Sequence, residues 1–468
     1  MRTPLAHSAR KNYPPQTYEA HVRGVCERAG KYAAEAECYS AKANGILSTI
    51  VRDSALLHDL GKLEERNQSV LCEQSRRRRH LPVDHTDAGS AALQKMGSGC
   101  AAMLVYSHHQ GLPDLSTEFA ARGCSIFRNG NAEVRAETDA ALPALLRQHE
   151  ALFPRKPNKE VQAYDGDPAV FLRMALSCLA DADHGDTAAA FGQTEKAMPE
   201  LRPQERLSAL DHYVSKFGET DERSSLRREL YQSCRSAEAH SGLSVCGSPV
   251  GSGKTTAVMA HLLEQACKRN ARRIFVVLPY TSIIRQSVDI YRKALVLPGE
   301  TPEDVVAELH SRADFEDIET RYLTALWRAP IVVTTAVTFF ETLSSHNPAA
   351  LRRLHELPGS LIFVDEAHSA LPIRLLPLAW HWMNVLADEW SCYWVLASGS
   401  LVRYWELQPL SGLSMPRPEI AELVRPDLQR ELSRYESSRI TFRWREKPIG
   451  RKELPEWEVG GPSGLRKT

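Results

Sequence analysis

From about residue 243 onward the chain repeats one pattern, a short β-branched or apolar run followed by a stretch of helical periodicity. The runs are LSVCGSP, RRIFVVLP, APIVVTTA, GSLIFVDE and CYWVLASGS. Runs of this length bounded by turn residues predict strands, and strands alternating with helices predict a parallel sheet covered on both faces. Residues 17 to about 235 predict helices almost throughout. Apolar residues recur there at i, i+3, i+4 in segments such as YEAHVRGVCERAGKYAAEAECYSAKA and PAVFLRMALSCLADADHGDTAAAF. The expectation is a multidomain chain, with an all-α domain over 1–225, an α/β domain with a parallel sheet over 226–435, and a remainder over 436–468.

At 468 residues the chain can bury two to three separate cores. Lys plus Arg and Asp plus Glu both number 58, so no overall positive field announces a nucleic-acid partner and such contacts must come from local patches. Arg76–Arg79 is a run of like charge; it reads as a solvated helix end or loop, or, more sharply, as a DNA-backbone contact. The ten cysteines are scattered without a C-x-x-C pair, which favours a reducing cytoplasm over a disulfide framework and argues against a zinc ribbon. No apolar run has signal-peptide or membrane-span length, so a soluble cytoplasmic protein with no membrane partner is expected.

SPVGSGKTT, Ser248–Thr256, follows a predicted strand and opens a predicted helix. In that context Gly251 and Gly253 let backbone N–H groups curl round phosphates at a helix N-terminus, Lys254 reaches the β/γ oxygens, and Thr255 can hold Mg²⁺. Gly251, Ser252, Gly253, Lys254, Thr255 and Thr256 are therefore the candidate ATP-binding residues. LIFVDEAH supplies the complement, a strand ending in Asp365 and Glu366. The first carboxylate suits water-mediated Mg²⁺ contact, and the second suits orientation or deprotonation of an attacking water.

SALLHDLGK, Ser54–Lys62, sets His58 beside Asp59 in an apolar helical pattern. Adjacent helical residues point about 100° apart, so both can serve one metal centre while Leu56, Leu57 and Leu60 pack elsewhere. Gly61 permits close approach of another helix, and Lys62 supplies positive charge for a phosphate. Imidazole plus carboxylate suits Mn²⁺, Ni²⁺, Fe²⁺ or Co²⁺, and a pair of such ions suits phosphodiester hydrolysis. His21, His85, His108 and His109 lie in the same helical region, which LADADHGDT closes.

These segments carry a family resemblance. SPVGSGKTT, LPYTSIIRQ, IVVTT, DEAH and ASGS resemble motifs I, Ia, Ic, II and III of superfamily 2 helicases. The resemblance implies a RecA-like P-loop domain that binds ATP and Mg²⁺. It also makes Thr281, Ser282, Thr334 and Thr335 candidates for DNA-backbone contact. The ordered histidines and aspartates resemble the HD phosphohydrolase superfamily. More narrowly, they are similar to the HD nuclease placed ahead of a superfamily 2 helicase in the CRISPR-associated helicase-nuclease of type I (Cascade) systems. That resemblance implies metal ligands His21, His58, Asp59, His85, His108, His109 and Asp181, with Asp183 and Asp186 as alternatives to the last, and catalytic roles for His58, Asp59, Lys62 and Glu366. It implies metal-dependent endonuclease or exonuclease action on single-stranded DNA, coupled to an ATP-dependent helicase and recruited by a Cascade-type ribonucleoprotein.

A helicase of this type needs a second RecA-like domain, and only 68 residues follow Ser400. The chain therefore reads as truncated, with RITFRWREKPIGRKELPEWE leading towards a missing domain, impaired unwinding, and a separate polypeptide as one source of the missing half. Two other readings stay open: a non-catalytic module that binds DNA or Cascade, and an HD phosphohydrolase acting on nucleotides.

Overall fold

The computed structural model describes residues 3–10, 12–73, 80–154, 157–158, 163–193, 196–309, 327–370, 372–406 and 420–439. The arginine run Arg76–Arg79, and the stretch expected to lead towards a second motor domain beyond residue 439, lie outside the described residues.

The first half is helical. A short antiparallel pair, β1 (Leu5–His7) and β2 (Gln16–Thr17), precedes α1 (Tyr18–Glu37), α2 (Ile46–Leu57), α3 (Glu65–Cys72) and α4 (His85–Lys95). Then follow α5 (Gly99–Gln110), α6 (Leu115–Arg122), α7 (Ala132–Leu152) and α8 (Pro168–Ala190). Local chemistry sets the starts: Thr17 accepts the Ala20 N–H at the head of α1. Asp167 caps α8, with Pro168 in its first turn, where a missing N–H costs nothing. Helices α1, α2 and α8 pack together, and α5 lies across α2 and α8. α2 stops at Leu57, so His58 and Asp59 sit at a helix end, followed by a 3₁₀ turn over Leu60–Leu63, rather than within a continuous helix.

In the second half, seven strands among the described residues form one all-parallel sheet. They are β3 (Leu243–Gly247), β4 (Ile274–Leu278), β5 (Val306–Leu309), β6 (Ile331–Thr335), β7 (Leu361–Val364), β8 (Tyr393–Ser398) and β9 (Ala421–Glu422), in the order β5-β6-β4-β7-β8-β3-β9. All five runs read as strands are strands; β5 and the short β9 were not read from the sequence. The strand periodicity of two divides the side chains. Phe275 and Val277 join one core, while Ile274, Val276 and Leu278 join the core on the other face.

The second core is closed by α9 (Pro203–Ser215), α10 (Glu222–Ser236), α11 (Lys254–Arg269) and α12 (Thr281–Leu295). The expected boundary at residue 225 therefore places α9 with the wrong neighbour: α9 packs on the α/β half. The buried Arg206 fixes it there, donating to the Leu295 carbonyl at 2.7 Å and pairing with Glu300 at 2.8 Å. Amphipathic periodicity says that a helix has an apolar face, not which core receives it.

The first core runs without a break from α1, α2 and α8 to the other face of the sheet. Ion pairs line the seam between the halves. Arg272 meets Glu35 of α1 at 3.1 Å and Lys42 meets Glu389 at 3.0 Å, while within the α/β half Arg272 and Arg273 also meet Glu356 at 3.0 and 2.8 Å.

Candidate metal centre and nucleotide site

Four helix ends and one helix interior bring the expected histidines and an aspartate together. His21 comes from the first turn of α1, His58 and Asp59 from the end of α2, His85 from the start of α4, His108 and His109 from the last turn of α5, and Asp183 from within α8. Close approach requires residues without a side chain at two points. A Cβ on Gly61 would lie 2.6 Å from the His85 carbonyl oxygen, and one on Gly24 would lie 1.9 Å from Asp186 Oδ1.

The imidazoles are oriented by what they donate to. His58 Nδ1 lies 2.8 Å from the Ala55 carbonyl, and His108 Nδ1 lies 2.6 Å from that of Val105. A carbonyl only accepts, so each Nδ1 carries the proton and each Nε2 presents a lone pair. His21 is held the same way by a carboxylate, Asp186 Oδ2, at 2.8 Å, and Gln16 Nε2 donates to that same oxygen at 2.7 Å. The Nε2 atoms then converge. His21 Nε2 is 3.3 Å from His58 Nε2, 3.1 Å from Asp59 Oδ2 and 3.3 Å from Asp183 Oδ1. His109 Nε2 is 3.0 Å from His85 Nε2, which is 3.6 Å from Asp59 Oδ1.

The donors form two groups, His21 with His58 and Asp183, and His85 with His108 and His109. Within each group the ligand atoms lie within 4.8 Å of one another. Asp59 stands between the groups. It is buried, both of its oxygens lack a hydrogen-bond partner of good geometry, and His108 Nε2 is likewise buried and unpartnered. Lys62 Nζ nevertheless lies 2.6 Å from Asp59 Oδ2.

Burial disfavours ionising the two carboxyls, but Lys62 and His58 hold Asp59 well below the usual carboxylate range, and His21 and His58 do the same for Asp183. Burial also opposes charge on His21, yet Asp183, Asp186 and Asp59 raise it to about 10. His85 and His108 are pushed down to about 4, chiefly by burial. A buried site with ionised carboxylates, neutral imidazoles at His85 and His108, a proton on His21 that a cation would replace, and orphaned acceptor atoms is chemically suited to divalent cations.

The expected closing ligand, Asp181, is not in this cluster. Its Oδ1 accepts from Arg352 at 2.8 and 3.0 Å, and its Oδ2 accepts from Arg328 at 2.7 Å. The reason is the helix repeat: two residues rotate roughly 200° about the axis, so Asp181 and Asp183 face opposite ways, whereas Asp183 and Asp186 share a face. His7 was not singled out in the sequence, and nothing around it there marks it. Its ring lies edge-on to His21 with centroids 4.8 Å apart.

At the other site, Ser248–Gly253 joins β3 to α11, with Gly251 and Gly253 at φ of 86° and 92°. Ser252 Oγ donates to the Pro249 carbonyl, and Thr256 Oγ1 donates to that of Gly253, so both hydroxyls brace the loop. Thr255 is half-buried in the first turn of α11. Lys254 Nζ lies 3.1 Å from Glu366 Oε1 and 3.6 Å from Asp365 Oδ1. Burial raises Asp365, partly offset by Lys254. Glu366 has a φ of 47° in the left-handed region, a strained backbone of the kind found at functional sites. Ser398 Oγ donates to Glu366 Oε2 at 3.1 Å and accepts from His368 Nδ1 at 2.7 Å, which joins the DEAH segment to the ASGS segment. Among the DNA-contact candidates, Thr334 is fully buried and Thr335 caps the helix Ala336–Ser344; Thr281 and Ser282 open α12 nearer the surface.

Residues 231–374 match the DEAD/DEAH box helicase family. No curated protein matches the chain. The fold is similar to that of T. fusca Cas3. Against the crystal structure of T. fusca Cas3-ATP the TM-score is 0.53 at 18% identity, covering 89% of this chain and 54% of that one. Against T. fusca Cas3 the values are 0.52, 17%, 90% and 55%, and against T. fusca Cas3-AMPPNP they are 0.51, 17%, 86% and 51%. The likeness is one of fold, and it takes in the helical half as well as the sheet. The chain spans about half the length of those Cas3 chains.

Proposed function

We propose that the chain is a metal-dependent single-stranded DNA nuclease joined to an ATP-binding helicase module, acting on foreign DNA after recruitment by a Cascade-type CRISPR ribonucleoprotein. The observation that supports the nuclease reading most is the pair of adjacent donor groups with Asp59 between them, buried and lacking hydrogen-bond partners of good geometry. His21, His58 and Asp183 would hold one divalent ion, His85, His108 and His109 a second, and Asp59 would lie between them. Ions bound there supply water activation and neutralise charge on the phosphodiester.

The protein's own part is positioning. Ala55 and Val105 fix the tautomers of His58 and His108 with Nε2 facing the site, and Asp186 orients His21, which gives up its Nε2 proton when a cation takes its place. Lys62 brings a positive charge to the Asp59 side of the site, where a phosphate oxygen would be met. In the α/β half, Gly251, Ser252, Gly253, Lys254, Thr255 and Thr256 form the phosphate cradle for ATP. Asp365 serves Mg²⁺, and Glu366, held by Ser398, orients the attacking water. The DEAD/DEAH match over 231–374 supports this half of the reading.

Circular single-stranded DNA incubated with the protein and Mn²⁺ or Ni²⁺ tests the nuclease. The expected outcome is metal-dependent degradation that Asp59→Ala abolishes. DNA left intact with every metal, or cut equally by Asp59→Ala, would end the proposal.

A further inference from the structure

One face of α8 carries a stripe of polar side chains at intervals of four, Arg173, Ser177 and Asp181, and all three meet a single segment of the α/β half. Arg173 Nε donates to the Ser345 carbonyl at 3.0 Å. Ser177 Oγ lies 3.0 Å from His355 Nδ1 and accepts the His355 backbone N–H at 2.9 Å. Asp181, fully buried, receives two prongs from Arg352 and one from Arg328. The opposite face of the same helix carries Asp183 and Asp186 to the histidine cluster. The segment also holds the far side of the site, because the Leu112 N–H, just beyond His109, donates to the His346 carbonyl at 3.0 Å.

We propose that Asp181 is a positioning residue: clamped by Arg352 and Arg328, it fixes the rotation of α8 about its axis, so that Asp183 is held at the cation site it shares with His21 and His58. The α/β half is thus part of the apparatus that shapes the metal centre. A helix is rigid over two residues, so a small rotation at Asp181 moves the Asp183 carboxylate by a similar angle. A carboxylate displaced from a preorganised ligand set loses affinity. The group His85, His108 and His109 has no member on α8 and is predicted to be indifferent to the clamp.

This inference rests on the metal-centre reading above, and Mn²⁺ binding to the 468-residue chain separates the two. Calorimetry counts and ranks the sites, and electron paramagnetic resonance reports the coupling between bound ions. In Asp181→Asn and Arg352→Gln, one of the two Mn²⁺ equivalents is expected to weaken by roughly 10- to 100-fold. The other should stay unchanged, the spin coupling should alter, and the circular dichroism spectrum should be retained. The exchange Asp181→Arg with Arg352→Asp is expected to recover part of the lost affinity. Should a neutral variant fail to fold, Arg352→Lys, which keeps the charge and loses the two-pronged contact, decides by the same comparison. Two wild-type Mn²⁺ affinities and unchanged coupling in folded variants would overturn the positioning role while leaving the metal reading intact. No Mn²⁺ binding by the unaltered chain would overturn both.

Discussion

Asp181, Asp183 and Asp186 lie within two turns of α8, yet each meets a different neighbour: the arginines of the α/β half, the Nε2 of His21, and the Nδ1 of the same ring. Their spacing held the signal that separates them, since 183 and 186 share a helix face and 181 does not. The spacing does not say which face meets the histidines; of Asp181 and its two alternatives, the structure brings Asp183 to His21 and His58. Lys254 offers a residue-scale test of the second site. Its ammonium lies by both DEAH carboxylates, where it would span to a nucleotide phosphate. Lys254→Ala is expected to weaken binding of a fluorescent ATP analogue by roughly tenfold or more, about 1.4 kcal/mol. Mn²⁺ binding at the distant histidine cluster should not change.

Elements matter here mostly at their ends. Most of the candidate donors sit where helices begin or stop; at the end of α2 the His58 Nδ1–H satisfies the Ala55 carbonyl that the helix leaves without a partner, and the His108 Nδ1–H adds a bond to the Val105 carbonyl within α5. The ladder of backbone bonds therefore sets the ligand tautomer, a link that sequence inspection does not display. Gly61 decides how closely α4 approaches the 3₁₀ turn. Gly61→Ala forces its Cβ against the His85 backbone and is expected to destabilise the fold by about 1–3 kcal/mol. Thermal unfolding would show this as a lowered midpoint, and Mn²⁺ titration as a weakened site at His85. Strand existence was legible because β-branched runs bounded by turn residues admit few other conformations. β9 was not, as a two-residue strand carries no periodicity and forms because Ala421 and Glu422 find the exposed edge of β3.

Across the whole molecule, the two halves are joined by a continuous apolar core and by buried charge at the seam. Burial alone would raise Glu356, but Arg273, His355, Arg272 and Arg328 lower it to about 2. A carboxyl with a depressed folded value contributes stability that is complete above its unfolded value near 4.5 and is lost as pH falls towards 2. That contribution is on the order of 3 kcal/mol. Melting followed from pH 5 to pH 2 is expected to show this loss in the wild type. Glu356→Gln should be less stable at pH 7 and should lack this part of the acid dependence. Among the described residues no helix is long and apolar enough to cross a membrane.

The amino-acid order alone determined the classes of element, the phosphate loop and DEAH pair, and the set of histidines, because each depends on residues close together in the chain or on a short period. The tertiary structure alone decided which aspartate faces the histidines, which core receives α9, and that Asp181 serves the seam. Those outcomes depend on the rotation of a helix against surfaces far away in sequence. A local pattern states that a polar face exists, and only packing chooses what it meets.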